Sequence, residues 1–396
     1  MRRIAAIGIV LLGVFAACSD DSSSSSTVAT TPLTVVEVTT SVTTPATTAA
    51  PTTVADSTPA TTAPAPATDA APTAAWRQVT ASGECMCADG SPYSYWIHQG
   101  DPNKVVFFLQ GGGACFDAST CAFDSKTYKT STGPGDNPGN ITTGIFDFTD
   151  KRNPLADYSF VFAPYCTGDV HLGNATTQYT PELTVQHKGY VDASTALNDL
   201  ATQFPDAKQL VVTGESAGSV PTPLYAGLAH DLLPNADITV LADGSGAYPD
   251  VPAINAVIGA AWGTENAIPP WPENEGLTAA TWSFPGLFIQ AHKHDPNIIF
   301  GRHDYAFDQV QQFFAGLAGI AADDLVTLID KNETQIEAAG VDLRSYIAPG
   351  DSHTVLSKPD FYTETVNGVP LVEWVSDLVR RTPQPDVHCT DCKQPA

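Results

Sequence analysis

The segment Gln209-Leu-Val-Val-Thr-Gly-Glu-Ser-Ala-Gly218 decides the fold of this 396-residue chain. Its first half, Gln209–Thr213, is mostly apolar, which predicts a buried strand. Its second half, Gly214–Gly218, has the Gly-x-Ser-x-Gly pattern of a sharp turn between a strand and a helix. At the tip of such a turn Ser216 takes a strained backbone, and glycines on either side avoid Cβ clashes. Residues 217–233 are then predicted to form a helix, so Ser216 is a candidate nucleophile raised above a sheet.

Apolar runs like the first half of this segment alternate along the chain with segments of helical periodicity. Strands are predicted at residues 104–109, 158–163, 209–213, 237–242, 287–291 and 343–348. Helices are predicted at residues 191–204, 217–233, 305–317, 322–338 and 371–381. Such alternation produces a mostly parallel sheet with helices on both faces. With the serine turn between a strand and a helix, the sequence predicts an α/β-hydrolase fold.

The stretch from Ala247 to Pro285 departs from this alternation. It contains Trp262, Trp271 and Trp282, and prolines flank Trp271 on both sides. Those prolines are incompatible with a regular helix or a central strand. Two interpretations are equally supported: an aromatic insertion that covers the substrate, and a surface loop with its own small apolar cluster.

The N-terminus resembles an export signal. Two arginines precede the apolar run Ile4–Val14, which is shorter than the ~20 residues that span a bilayer. Small residues then precede Cys18, as in a bacterial lipobox. We therefore expect residues 1–17 to be a lipoprotein signal peptide and Cys18 to carry lipid.

The composition after Cys18 predicts a linker and one catalytic domain. Residues 18–75 are mainly Ser, Thr, Ala, Pro and Val without an aromatic residue, which predicts a disordered segment. Residues 76–396 are long enough for one large α/β domain. We expect this domain at the extracellular face of the bacterial membrane through the lipid anchor, or in the cell wall or secreted.

The charge of the chain limits its partners. The formal net charge is −25, which opposes binding to nucleic acid and to anionic membrane surfaces. We therefore expect no nucleic-acid partner and no membrane contact besides the lipid anchor. We also expect a monomer that uses no cofactor.

A serine nucleophile requires a base and a carboxylate that orients the base. In the predicted fold the chain order is serine, acid, histidine, and the acid follows the second strand after the serine turn. Counting strands places Asp295 after the run at 287–291 and His353 after the run at 343–348. We predict Ser216, Asp295 and His353 as the catalytic residues. The rival acids and bases are Asp243, Asp304, His292, His294 and His303.

An oxyanion hole requires two backbone N–H groups directed at one point. Ala217, the residue after the nucleophile, is expected to supply one. The glycine-rich loop at Gly111–Ala114, after the first predicted strand, is expected to supply the other. The rival histidines, with Asp295 and Asp304, could also suggest a metal site. Asp295 is assigned to the triad, so we expect no metal.

The chain has eight cysteines, and seven follow Cys18. An exported chain favours disulfides, and an odd number leaves one thiol free or paired with another chain. Cys115 and Cys121 are close enough to close a small loop. We expect the pair Cys389 and Cys392 to anchor the tail, to Cys85 or Cys87.

Six short motifs occur in order: Cys87–Tyr93 (CADGSPY), Leu109–Phe116 (LQGGGACF), Pro164–Val170 (PYCTGDV), Gly214–Gly218 (GESAG), Ala242–Gly246 (ADGSG) and Ala348–His353 (APGDSH). From about Cys85 to His353, the chain resembles the pectin acetylesterase/Notum family. The resemblance implies the triad given above, a disulfide between Cys115 and Cys121, and ester hydrolysis without a metal. It also implies oxyanion donors at Gly112, Gly113 and Ala217.

The chain departs from this family pattern beside the predicted site. The family commonly has a tryptophan where this chain has Gly113-Ala114, and a second glycine where it has Ser219. Polar residues, His292–His294, precede Asp295. We therefore expect a roomier pocket beside the oxyanion loop and a more polar surrounding of the acid.

These observations predict an extracellular serine carboxylesterase that removes acyl groups, chiefly acetyl groups, from polysaccharide. The departures beside the oxyanion loop favour one alternative, a polyester depolymerase, lipase or thioesterase with longer acyl specificity. The tryptophan-rich stretch and the linker favour another, a non-catalytic surface-binding protein on a hydrolase scaffold.

Overall fold

A computed structural model describes residues 75–390 and residue 392. The predicted signal peptide, the lipidation of Cys18 and the linker up to residue 74 lie outside the described residues. Within the described part, no helix is long and apolar enough to cross a membrane.

The strands within the described residues are β1 (Arg77–Thr80), β2 (Ser94–His98), β3 (Asp101–Leu109), β4 (Tyr158–Ala163), β5 (Ala175–Thr180), β6 (Leu183–His187), β7 (Gln209–Glu215), β8 (Asp237–Asp243), β9 (Ile299–Tyr305), β10 (Leu343–Ala348), β11 (Thr365–Val366), β12 (Val369–Pro370) and β13 (Val387–His388). Nine of them form one sheet in the order β1-β2-β4-β3-β7-β8-β9-β10-β13. Strand β2 runs antiparallel to both of its neighbours, and every other neighbouring pair is parallel. The predicted, mostly parallel sheet is therefore confirmed, with β7 near its centre.

The described helices are α1 (Gly189–Gln203), α2 (Thr222–Leu232), α3 (Pro252–Trp262), α4 (Phe284–His294), α5 (Gln309–Leu317), α6 (Leu325–Ala338) and α7 (Leu371–Val379). They cover both faces of the sheet. On one face, Phe107 of β3 belongs to a core with residues of α1, α2, α4 and α6. On the other, the adjacent Phe108 belongs to a core with residues of α7. Each fully buried phenylalanine contributes ~1.5–3 kcal/mol, which explains why the strand is apolar at every position from Val105 to Leu109.

The predicted strand at residues 287–291 is wrong, because these residues lie inside α4. The Ser283 side chain caps this helix by accepting a hydrogen bond from the Gly286 N–H at 3.2 Å. Pro285 lies in the first turn, where its missing N–H costs no hydrogen bond. The cap and the proline therefore favour the start of a helix here, although the apolar run that follows resembles a strand.

The corresponding strand is β9, which contains three consecutive buried polar residues. Arg302 Nε lies 3.0 Å from Asp304 Oδ2, and His303 Nδ1 lies 2.8 Å from Asp243 Oδ1. Buried polar groups are tolerated when they are paired in this way. Because the pairing arises from tertiary structure, the sequence alone did not indicate a strand.

The stretch from Ala247 to Pro285 is folded against the body of the domain and includes α3. Trp262, Trp271 and Trp282 are all buried in one apolar cluster. The indole N–H of Trp262 donates to the Cys115 carbonyl at 2.7 Å. The stretch is therefore a packed insertion, although its helix was not predicted.

The predicted disulfide between Cys115 and Cys121 is present, and Cys85 is a free buried thiol. Cys87 pairs with Cys166, and Cys389 pairs with Cys392. The predicted link from the tail to Cys85 or Cys87 is therefore wrong. The tail follows β13 at one edge of the sheet, whereas Cys87 precedes β2 near the other edge. Seven strand spacings of ~4.8 Å, on the order of 30 Å in all, separate β2 from β13.

Candidate active site

Ser216 lies where β7 ends and a short turn leads toward α2. Its backbone φ is 56°, a region that non-glycine residues rarely occupy and that marks strain at functional sites. At Gly218 a Cβ atom would overlap the carbonyl group of Leu109 on β3. The structure therefore places Ser216 at the predicted strained turn, and the glycine allows this turn to pack against the neighbouring strand.

The glycine-rich loop after β3 packs directly against this serine. A Cβ atom at Gly111 would come 2.9 Å from the Cβ of Ser216. The loop is tied to a neighbouring segment, because the Lys129 N–H donates to the Gly112 carbonyl at 3.0 Å. Gly112 and Gly113 line a cavity together with Ser216. The residues predicted to donate to an oxyanion thus surround the serine.

His353 lies in the turn after β10, and its side chain is 20% exposed. Its Nδ1 atom lies 2.6 Å from Oδ2 of Asp308. Its Nε2 atom is buried and has no hydrogen-bond partner among the described residues. His353 and Ser216 line the same cavity, so the structure brings these two predicted residues together.

Asp295 is not the partner of His353. It lies at the end of α4, where its carboxylate pairs with His230 at 3.2 Å. It also accepts hydrogen bonds from the backbone and side chain of Asn297. The strand count led to Asp295 because it took the helix at residues 284–294 for a strand. The second strand after the serine turn is β9, and the acid that follows it is Asp308.

Asp308 is fully buried and caps α5. Its Oδ1 atom accepts hydrogen bonds from the N–H groups of Val310 and Gln311, at 2.9 and 3.0 Å. Its Oδ2 atom also accepts from Gln311 Nε2 at 3.1 Å. These donors fix the carboxylate that faces the imidazole. An aspartate just before a helical segment is an N-cap signal, and this signal could have identified Asp308 from the sequence.

The rival acids have other partners. Asp243 bonds to His303 and accepts from two backbone N–H groups in the His353 turn. Asp304 lies beside Arg302 and accepts from the Gly246 N–H at 2.8 Å. Burial raises the pKa of Asp304. Both carboxylates organise the site without contacting His353.

None of the rival histidines lines the two cavities that contain Ser216. His294 lies between two carboxylates, with Nδ1 2.7 Å from Glu273 Oε1 and Nε2 2.7 Å from Asp231 Oδ1. His303 is paired with Asp243 on the neighbouring strand, and His292 is at the end of α4. The three histidines, Asp295 and Asp304 therefore do not converge on one point among the described residues, and most of them have other partners.

Two cavities meet at Ser216. The first has a volume of about 70 Å³ and also contacts Ala217 of the serine turn. Its walls are almost entirely apolar: Ala114, Phe116, Val170, Val220, Tyr248, Ile258, Trp262, Phe284 and Phe314. Four of these residues, from Tyr248 to Phe284, belong to the insertion. The structure thus favours the interpretation in which the aromatic insertion covers the site.

The second cavity lies on the side of His353. Its polar lining residues include Gln110, Glu215, Thr354 and Ser357, beside the glycine-rich loop and the apolar residues Phe108, Ile141, Phe162, Val310 and Phe314. Desolvation, followed by the nearby charge of Asp243, raises the pKa of Glu215 to about 7. One side of Ser216 is therefore apolar, and the other offers polar and ionisable groups.

The sheet, the serine turn and the histidine that follows a later strand define an α/β-hydrolase fold. The whole fold agrees with this class: its TM-score is 0.64 to the Wnt deacylase Notum from Drosophila, at 16% sequence identity, covering 82% of this chain and 100% of that chain. The Pectinacetylesterase family model matches residues 72–261, a segment that contains Ser216 and ends before Asp308 and His353.

Curated relatives carry names from the same family. The palmitoleoyl-protein carboxylesterase notum2 of Xenopus laevis is 29% identical over 139 residues, covering 33% of this chain and 27% of the relative. Pectin acetylesterase 5 of Arabidopsis thaliana is 25% identical over 175 residues, covering 43% and 40%. The palmitoleoyl-protein carboxylesterase NOTUM of Schmidtea mediterranea is 28% identical over 146 residues, covering 35% and 27%. The chain thus matches less than half the length of each relative. With the family model, these matches make parts of the chain similar to the pectinacetylesterase/Notum family.

Proposed function

We propose that this chain is a serine carboxylesterase with Ser216 as nucleophile, His353 as base and Asp308 as the acid that orients His353. The observation that carries the proposal is the 2.6 Å contact between His353 and buried Asp308 beside the strained serine turn. The relatives named as carboxylesterases and pectin acetylesterase support the same class of reaction.

Acylation begins when Ser216 Oγ attacks the carbonyl carbon of the ester. Nε2 of His353 takes the proton of the hydroxyl, and Asp308 stabilises the imidazolium that forms. The carbonyl oxygen becomes an oxyanion that accepts hydrogen bonds from N–H groups of Gly112, Gly113 and Ala217. When the tetrahedral intermediate collapses, the bond to the alcohol oxygen breaks and His353 returns the proton to that oxygen.

Deacylation repeats these steps with water. His353 removes a proton from water, and the resulting hydroxide attacks the acyl carbon bound to Ser216. Collapse of the second intermediate releases the carboxylic acid and restores the serine hydroxyl with the proton held by His353. His353 lines the cavity, and its Nε2 atom has no hydrogen-bond partner among the described residues, which supports this use of the histidine.

Acetyl esters of polysaccharide are the proposed substrates. The open, more polar cavity beside His353 suits a hydrated alcohol such as a sugar, whereas the apolar cavity suits the acyl group. Its walls are apolar on the side of Ala114 as well as on the side of the insertion, so they would also contact a longer acyl chain favourably. This observation favours a second candidate, an esterase for longer acyl chains.

An extracellular location accompanies this function. The three disulfides within the described residues are typical of an oxidising compartment. With the export signal at residues 1–17, they support an enzyme outside the cytoplasm, anchored through lipid on Cys18. Mass spectrometry of the membrane-extracted protein tests this anchor, since acylation adds the mass of fatty chains to Cys18.

Hydrolysis assays test the proposed reaction. Purified wild type and Ser216→Ala are compared on p-nitrophenyl acetate and on acetylated pectin and xylan, with Ser119→Ala, an exposed serine, as control. We expect loss of Ser216 to lower kcat by at least about 10³-fold, with the control unchanged. Equal rates for wild type and Ser216→Ala would refute the proposal. A p-nitrophenyl ester series of increasing chain length decides between the acetyl and longer-acyl candidates.

A fluorophosphonate separates an enzyme from a binding protein on the same scaffold. Only a serine activated by a base reacts rapidly with this reagent, because phosphonylation also requires transfer of the hydroxyl proton. We expect labelling of wild type and none of Ser216→Ala. An unlabelled wild type would instead favour the non-catalytic surface-binding alternative.

A further inference from the structure

The turn that carries His353 is attached to the residue immediately before the nucleophile. Glu215 Oε1 accepts a hydrogen bond from the Ser357 N–H at 2.8 Å, and Glu215 Oε2 accepts from the Ser357 hydroxyl at 3.0 Å. Ser357 lies four residues beyond His353 in the same turn. The side chain of Glu215 therefore links the two segments that supply the nucleophile and the base.

A second carboxylate supports the same turn. Asp243 is the register partner of Glu215 on the neighbouring strands β7 and β8. Its Oδ2 atom accepts from the N–H groups of Val355 and Leu356, at 2.7 and 3.0 Å. Three consecutive N–H groups of the turn are thus held by two adjacent carboxylates, which fixes its height above the sheet.

The turn needs this support because its backbone is strained next to the base. Thr354 has a φ of 57°, which a β-branched residue adopts only when its surroundings impose it. The Lys358 ammonium closes the turn by donating to the His353 carbonyl oxygen. Loss of the anchor at Ser357 would let this strain relax and displace the imidazole.

We propose that Glu215 is a positioning residue that holds His353 toward Ser216 through its two hydrogen bonds to Ser357. This inference rests on the proposed serine esterase function and deepens it by adding a residue outside the triad. Glu215 does not contact the reacting atoms in this role. It acts by keeping the turn in place.

The ionisation of Glu215 modulates this attachment. An ionised carboxylate accepts both hydrogen bonds from Ser357, whereas a protonated carboxyl has fewer acceptor sites. Desolvation and the adjacent Asp243 raise the pKa of Glu215 to about 7, against the opposing effects of Ser357 and Lys358. His303, on β9, faces this group only through its bond to Asp243. The turn is therefore held most firmly above about pH 7.

Kinetics from pH 5 to 9 test the inference, with fluorophosphonate labelling and ester hydrolysis as readouts. In Glu215→Ala we expect labelling and kcat to fall about tenfold, with KM little changed, because misplacing a catalytic group slows the chemical step. In Glu215→Gln we expect a loss of a few-fold and a weaker pH dependence near pH 7 than in wild type, because His353 still acts as the base in both proteins. The amide retains partners for Ser357 but cannot ionise.

Glu333→Ala is the matched control. Glu333 is buried and, like Glu215, accepts from a serine hydroxyl, that of Ser345 at 2.8 Å, but it lies on α6. It should lower stability without changing the labelling rate or the pH profile of the folded enzyme. A purely structural role for Glu215 predicts this same pattern for Glu215→Ala.

The outcomes separate this inference from the proposed function. If wild type and Ser216→Ala label alike, or wild type does not label, the serine mechanism fails and this inference fails with it. If only wild type labels, the mechanism stands and Glu215 is tested alone. Folded Glu215→Ala with a wild-type rate, or Glu215→Gln with the wild-type pH profile, overturns the positioning role. If Glu215→Ala does not fold, the pH profile of Glu215→Gln still decides.

Discussion

Oδ2 of Asp308 lies 2.6 Å from Nδ1 of His353, although 45 residues separate the two along the chain. The aspartate caps the helix after β9, and the histidine follows β10, the parallel neighbour of β9. Parallel strands deliver both residues to the same edge of the sheet. The contact is therefore a direct product of the topology.

Replacing Asp308 by asparagine should abolish most activity. An amide cannot hold the imidazole in the same tautomer or stabilise its cation, so we expect kcat to fall roughly 10³–10⁴-fold. Asp295→Asn is the matched variant, because Asp295 pairs with His230 instead. We expect it to retain activity within about twofold. Ester hydrolysis by the two proteins at equal folded concentration makes the comparison, and a reversed order would restore Asp295 as the acid.

Replacing Ala114 by tryptophan should shorten the preferred acyl chain. Ala114 lines the apolar cavity beside Ser216, and an indole there would occupy much of it. We expect kcat/KM for octanoate relative to acetate to fall by about tenfold or more, since each lost buried methylene costs ~0.8 kcal/mol.

The control for this substitution is Ala339→Trp, which adds the same side chain at an exposed position. The ratio of octanoate to acetate hydrolysis should stay at the wild-type value in the control. If Ala114→Trp leaves the ratio unchanged as well, the acyl group does not enter this cavity.

His187 should make the protein less stable in acid. Burial lowers the pKa of His187 to about 4 from a usual 6.5. Its two nitrogens lie 2.9 Å from the Thr167 carbonyl and the Tyr179 hydroxyl. The folded state keeps the ring neutral while the unfolded chain takes a proton below pH 6.5. Above pH 6.5 the protonation of His187 therefore does not lower the free energy of unfolding. As the pH falls from 6.5 toward 4, it lowers that free energy by about 3 kcal/mol in total.

Urea unfolding of wild type and His187→Gln at several pH values measures this effect. The difference in unfolding free energy between the two proteins isolates His187 from the other titrating groups. As the pH falls from 6.5 to 4, we expect the unfolding free energy of wild type to decrease more than that of His187→Gln. A difference independent of pH would show that His187 is not held neutral.

Removing the disulfide between Cys87 and Cys166 should destabilise the domain more than removing the one between Cys115 and Cys121. The sequence separations are 79 and 6 residues, and a longer loop restricts the unfolded chain more. Loop entropy gives roughly 4 kcal/mol for the first and roughly 2 kcal/mol for the second. Double serine variants in a Cys85→Ser background, which prevents thiol exchange, allow the comparison by urea unfolding. Equal losses would show that loop entropy does not determine how much each disulfide stabilises the domain.

Strands that are apolar on both faces could be predicted from the sequence, as β3, β4, β7 and β8 show. The strand that was missed, β9, is stabilised by pairs such as Arg302 with Asp304. A run containing Arg, His and Asp appears polar until the partners of each are known. Hydrophobic periodicity therefore could not reveal it, because its burial depends on contacts that only the folded chain makes.

The candidate site also contains residues that the sequence pattern indicates and residues that only tertiary contacts reveal. Ser216 could be predicted because its turn needs glycines at fixed spacing, and His353 because it follows a recognisable strand. The strand count selected Asp295 instead of Asp308 because it included one helix as a strand. Glu215 occupies the variable position of the serine motif, so its attachment to Ser357 became visible only in three dimensions.

Ser216 lies between two dissimilar cavities, so the two halves of an ester bound there would be recognised by different surfaces. Gly113 and Phe314 line both cavities, but most other wall residues differ, so in the proposed reaction the acyl group and the alcohol would contact different side chains. Mutational libraries restricted to Tyr248, Ile258 and Phe284 would then change which acids are released while leaving the choice of alcohol intact. Selectivity on either side of the scissile bond could be engineered independently and afterwards combined.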